Sequence, residues 1–253
     1  MNNRNYTKKE LIDADDNQLS FLVGVNLVNT SELILQFPFE LLKNTKKGWG
    51  RNRDIEEFQL YAAFQCIVNS IELILKSRVA LIDYTLLFKN PKKISREDLI
   101  NGDFQSINFD KCVEIIEGKS NDVLTEKVKD RIESIRIIRN KITHYYVDTT
   151  NEMFLNYIAF GLDVYITIYR EFIKGRIYDS YDRIEGFEEE LSDFEEFVNL
   201  RVETYKVNNK LGKYKIPGNP ECPVCYTWNI VTLENRKRKC LFCGFEETEE
   251  SET

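Results

Sequence analysis

The sequence predicts an all-α bundle followed by a small cysteine-bearing β module. Three observations carry this expectation. Apolar residues recur at three- and four-residue spacing over several long segments, the period of an amphipathic helix. No strand-like alternation of any length precedes residue 210. Four of the six cysteines fall in two CxxC pairs near the C-terminus.

The elements follow in order. Residues 17–44 show helical apolar spacing, interrupted by Pro38. Across 54–88, Leu60, Phe64, Ile67, Ile71, Ile74, Leu75, Val79 and Ile82 draw one stripe, and Pro91 lies just past the end. Ser95-Arg96-Glu97-Asp98 reads as a capping box opening a short helix. A further short helix is expected from Asn108 to Glu117, stopped by Gly118. Residues 121–147 make a second long helix with the stripe Val128, Ile132, Ile135, Ile138, Ile142 and Tyr145. Thr149-Thr150-Asn151-Glu152 is a capping-box start for a third, running to about Lys174 and stopped by Gly175. Residues 183–205 form an acidic amphipathic pattern. The resulting division is 1–49 as an N-terminal helical extension and 50–205 as a helical bundle. Residues 206–217 are a linker marked by Gly, Pro and Asn, and 218–253 are the cysteine module with its acidic tail.

Bulk composition bounds the function. The 253 residues carry a formal net charge of −7. That excludes a uniformly basic nucleic-acid coat and leaves a local basic patch open. The first residues, MNNRNYTKKELIDADDNQ, lack the apolar core of a signal peptide. The most apolar run, Tyr157 to Tyr169, is too short for a bilayer and is broken by Asp163. The expectation is a cytoplasmic protein with no membrane partner, in a compartment that keeps thiols reduced.

Cys66 and Cys112 sit alone inside apolar patterns, as small core residues do. The other four are spaced Cys222-Pro-Val-Cys225, fourteen residues, Cys240-Leu-Phe-Cys243. Zinc takes four soft ligands in a tetrahedron, and each CxxC turn offers two thiolates from one knuckle. The competing reading is two redox pairs or incidental cysteines. Four cysteine ligands leave no open coordination position, so the expected ion is one structural Zn2+ per chain. Between the pairs run Arg236, Lys237, Arg238 and Lys239, with Tyr226 and Trp228 nearby. Such a set suits a nucleic-acid backbone; a solvated hairpin tip or a protein-docking module is equally consistent.

His144 is the only histidine of the chain. Residues 121–147 hold six cations (Lys127, Lys129, Arg131, Arg136, Arg139, Lys141) against four anions, and the last anion of the helix is Glu133. The stretch around His144 is therefore positive only, which suits a phosphate. Asn140 and His144, at i and i+4, share a helix face. A base titrating near neutrality, a fixed cation and an orienting amide are what 2′-hydroxyl attack on an adjacent RNA phosphate requires, with no catalytic metal. A histidine at a helix end is also often a surface or capping residue, and an R-x4-H spacing arises by chance.

The stretch SIELILKSRV (Ser70 to Val79) followed by RIIRNKITHYY resembles a HEPN domain, in its helical bundle and in the Arg139-Asn140-x3-His144 signature. The resemblance covers about residues 50–175. It implies a metal-independent endoribonuclease leaving 2′,3′-cyclic phosphate and 5′-hydroxyl ends, active as a toxin or in anti-phage defence. It also implies a homodimer, because family members build one composite site from two motifs. Carried over, Arg139, Asn140 and His144 are the catalytic set, Arg136 and Lys141 flank it as RNA contacts, and Glu72 and Lys76 are secondary site residues. The pattern also matches R-x4-H-x-Y, in which an antitoxin modifies the tyrosine. Tyr146 takes that position here, although those toxins are shorter and lack a zinc ribbon. The alternative is a non-catalytic HEPN and zinc-ribbon module that binds nucleic acid or protein. A third reading makes the ribbon an accessory factor on a dimerising scaffold.

Overall fold

A computed structural model describes residues 6–44, 57–93, 95–119, 124, 126–144, 150–173 and 176–177 of the helical part. Towards the C-terminus it describes 191, 194, 197–198, 200–201, 223, 230–232, 237–240 and 246–248. The chain divides into two compact units, Met1–Asp179 and Ser180–Thr253. The first is helical; the second contains a small antiparallel sheet.

The first unit opens with α1 (Lys8–Asp13), started by a capping box in which Thr7 and Glu10 bond reciprocally. A long helix, α2 (Asp16–Asn44), follows and passes through Pro38 without ending. The missing N–H of a proline removes one helical bond. Here Leu35, Phe39 and Leu42 on either side of it are nearly fully buried, and that packing outweighs the loss.

The central element is α3 (Glu57–Ile82), against which α2, α5, α6 and α7 all pack. Its predicted stripe is the core: Leu60, Phe64, Ile67, Ile71, Ile74, Leu75 and Val79 have no solvent exposure. The helix ends at Ile82, six residues before the expected Phe88. Asp83 causes this by capping a 3₁₀ turn over Tyr84–Leu87, its side chain accepting from the Thr85 N–H at 2.8 Å. Phe88 then bridges to Ser106, and Pro91–Lys93 form a second 3₁₀ turn. Next comes α4 (Arg96–Asn101), which has the predicted Ser95–Asp98 capping box and stops at Gly102, whose φ of 80° is left-handed.

The remaining helices are α5 (Phe109–Lys119), α6 (Glu126–His144) and α7 (Asn151–Phe172). α5 runs one residue past Gly118. α7 is capped by Thr150, one residue after the predicted Thr149, with the Thr150 side chain accepting from the Met153 N–H.

Side-chain contacts fix the helix directions. Ser70 Oγ donates to the Ser31 carbonyl at 3.0 Å and Ser77 Oγ to the Gly24 carbonyl at 2.8 Å, so α2 and α3 are antiparallel. Phe64 meets Tyr157, and Ile67 meets Gly161, so α7 is parallel to α3. A Cβ on Gly161 would lie 2.8 Å from Ile67 Cγ2, so glycine permits this approach. By length and composition, Asp16–Leu42 and Glu57–Ile82 would each suffice to cross a membrane. A core helix has the same properties, and α3 is packed on several sides by other helices.

In the second unit, residues 197–198 and 200–201, inside the predicted acidic helix, are helical. The strands are β1 (Ile230–Thr232), β2 (Lys237–Cys240) and β3 (Glu246–Thr248), ordered β1-β2-β3 and antiparallel throughout. Ile230 pairs with Cys240, and Arg238 with both Thr232 and Glu247.

Candidate active site

The predicted motif closes α6, with Arg139 and Asn140 in the penultimate turn and His144 as the last helical residue. α6 is held by its first half. Val128, Ile132 and Ile135 are buried, and Ile135 reaches towards Gly161, where α3, α6 and α7 meet. Its strongest polar anchor was not foreseen. Arg131 pairs with Asp163 of α7 at 2.6 Å, with side-chain exposures of 15% and 7%. The same guanidinium reaches Thr167 and lies 6.0 Å from the centre of the Phe160 ring. A sequence signal for this existed: Asp163 is a lone carboxylate in an apolar run, and a buried charge requires a partner.

The cations of α6 are sorted along its length. Arg131 is taken by Asp163, and Lys129 by Glu117 of α5. Arg136 makes a two-point contact with Glu133, its Nε donating at 2.7 Å, and lies 3.7 Å from Asp110. That hydrogen bond holds the Glu133 carboxyl below its usual range and raises the Arg136 guanidinium. Arg136, expected as an RNA contact, thus has carboxylate neighbours at the surface. Arg139 is half-buried, and its Nη2 donates to Asn140 Oδ1 at 3.3 Å. Among the described residues neither Arg139 nor the exposed Lys141 has a carboxylate partner.

Because α6 runs antiparallel to α7, its C-terminal end lies at the end of the bundle where α3 and α7 begin and α2 finishes. Exposed apolar side chains gather on these same segments. Phe58 is 68% exposed, and Tyr61, Met153 and Phe37 are each more than a third exposed.

Glu72 and Lys76 pair at 2.6 Å, and Lys76 donates to Ser106 at 2.9 Å. They tie α3 to the strand-like arm before α5, where Cys112 is buried beside them. Burial pushes the Cys112 thiol up to about 12, while Lys76 lowers it and Glu72 raises it. This pair lies on α3 and the motif on α6, and no described contact joins them.

Within the second unit, Lys237, Arg238 and Lys239 lie on β2, and Cys240 is its last residue. Arg238 pairs with Glu247 of β3 at 2.6 Å, and Lys239 pairs with Glu246. Tyr146, Arg236, Cys222, Cys225 and Cys243 lie outside the described residues. Of the four CxxC cysteines only Cys240, the last residue of β2, is described.

Set against protein-family models, curated proteins and solved structures, the chain finds no match in any of the three.

Proposed function

We propose that the protein is a metal-independent endoribonuclease of the HEPN type, working as a homodimer in the cytoplasm, without a membrane partner. The observation that carries this reading is the charge sorting on α6. Every earlier cation with a described side chain is paired with a carboxylate, whereas Arg139 and Lys141, on either side of Asn140, have none among the described residues. A helix end that keeps its positive charge free beside a histidine suits a scissile phosphate.

In this mechanism His144 takes the proton from the ribose 2′-hydroxyl, whose oxygen attacks the adjacent phosphorus. The 5′-oxygen leaves with a proton from the second protomer's histidine, giving 2′,3′-cyclic phosphate and 5′-hydroxyl ends. Arg139 stabilises the charge that builds on the phosphoryl oxygens, and its bond to Asn140 pre-aims both side chains. The exposed apolar residues Phe58, Tyr61 and Met153 at this end supply a surface on which two copies bring their motifs together.

The ribbon is proposed to hold one structural Zn2+ through Cys222, Cys225, Cys240 and Cys243. Bound there, zinc supplies folding energy to a hairpin too small to fold alone. Neutralised Arg238 and Lys239 favour protein docking over RNA contact for this module. A toxin or anti-phage role, with an antitoxin or regulatory partner acting on Tyr146, completes the reading.

The test incubates wild type and His144→Ala with total tRNA and mixed-sequence RNA in excess EDTA, checking zinc retention and dimer in the same samples. Cleavage by wild type alone, leaving cyclic-phosphate ends, is expected, with a loss of about a hundredfold or more for the variant. Equal cleavage by both would refute the assignment. No cleavage by either, with dimer and zinc intact, would favour a binding module.

A further inference from the structure

A cleft of about 670 Å³ lies between the arm that follows α3 and the outer face of α5. It is separate from the α6 motif, and nothing in the ribonuclease reading uses it. Its floor is apolar: Leu86, Phe88, Ile107 and Ile115. The walls are held in place. The Lys89 N–H donates to the Gln105 carbonyl at 3.0 Å and the Ile107 N–H to the Leu87 carbonyl at 2.8 Å. Phe88 is stacked edge-on against Phe104 at 5.0 Å, and Lys76 fixes Ser106 from α3.

The rim is cationic. Lys111 is matched by Glu114. Lys89 on the arm and Lys119 at the end of α5 have no carboxylate partner among the described residues. The volume falls in the range of small-molecule sites, which combine an apolar lining with a few placed polar groups. Two unmatched cations over an apolar floor select a ligand with the complementary division.

We propose that this cleft binds a small anionic amphiphile, with its apolar body against Phe88, Ile107 and Ile115 and its head group at Lys89 and Lys119. A neutral molecule of the same body would gain nothing from either cation. A highly charged polymer would leave the floor uncovered.

The experiment is calorimetric titration of the full chain with decanoate, decyl phosphate and 1-decanol, each below its aggregation limit. Three proteins are compared: wild type, Lys89→Gln/Lys119→Gln and Gly118→Leu. The lysines are exposed, so their exchange leaves the core intact. Gly118 lines the cleft, and a Cβ there meets nothing within 4 Å. A leucine at that helical position adds bulk beside the cleft from an unobstructed Cβ and favours the helix. Saturable binding of decanoate, weakened by about tenfold or more in the lysine variant, is expected. 1-Decanol should bind weakly and indifferently to those lysines, and Gly118→Leu should weaken both acids. The ratio of decanoate to decyl phosphate assigns the head group as carboxylate or phosphate. No saturable binding, equal affinity for decanol and decanoate, or an unaffected lysine variant would overturn the proposal. So would displacement of decanoate by mixed-sequence RNA, which would reassign Lys89 and Lys119 to the nucleic-acid backbone. None of these outcomes depends on whether His144 cleaves RNA.

Discussion

Two stretches of this chain are dense in positive charge, Arg136 to Lys141 and Arg236 to Lys239. In the fold they meet different fates. On β2 the antiparallel register sets Arg238 opposite Glu247 and Lys239 opposite Glu246, and both cations are paired across the ladder. On α6, Lys129 and Arg131 pair with carboxylates of α5 and α7, Arg136 pairs mainly with Glu133 of its own helix, and the pairing stops there among the described residues. Arg139 bonds a neutral amide, and Lys141 meets no described carboxylate. Density of basic residues along a chain therefore does not measure the charge offered to a ligand. What counts is how many carboxylates the fold brings within reach.

The comparison predicts its largest effect at the motif. Arg139→Gln should lower RNA cleavage by about a hundredfold to a thousandfold, the loss typical of one donor to a developing oxyanion. Arg238→Gln, which removes a cation already matched by Glu247, should change it by less than about twofold. Rates measured under single-turnover conditions decide this. Comparable losses in the two variants would erase the distinction between the two basic stretches.

The next effect concerns what holds α6 in place. Asp163→Ala leaves Arg131 buried without a counter-charge, and removing one partner of a buried pair destabilises by about 3 to 5 kcal/mol. Urea denaturation followed by circular dichroism should show this loss. A change no larger than that of an exposed pair would mean that Ile135 and Gly161 alone fix the helix.

How far the sequence could lead depended on the range of the interaction. The stripe on α3 was legible because helical periodicity is local, and all its members from Leu60 to Val79 are buried. The placement of Arg139, Asn140 and His144 in the last turns of one helix was legible for the same reason. The helix end at Ile82 was missed because the segment was carried on to Phe88 beyond the last residue of the stripe, whereas Asp83 caps a 3₁₀ turn there. Pro38 suggested a break that burial of Leu35 and Phe39 overrode. The pairing of Lys129 and Arg131 was beyond local reading, because Glu117 and Asp163 lie on other helices, whereas Glu133 stands three residues from Arg136 on the same helix. Only Asp163 announced itself, as a carboxylate where the pattern wanted an apolar residue.

The smallest predicted effect sharpens the comparison on the β side. If β3 neutralises β2, then Glu246→Gln/Glu247→Gln releases Arg238 and Lys239 and turns the sheet into a surface for polyanions. Two new phosphate contacts to a single strand steepen the dependence of log affinity on log salt by about 1.4. Affinity for a labelled mixed-sequence RNA should rise at low salt and converge with wild type at high salt, as screening removes exposed charge. Restoring neutrality with Arg238→Gln/Lys239→Gln in the same background should return the wild-type slope. An unchanged slope in the first variant would mean that these cations do not reach RNA even when free. Within the proposed function, RNA contact would then be left to the end of α6.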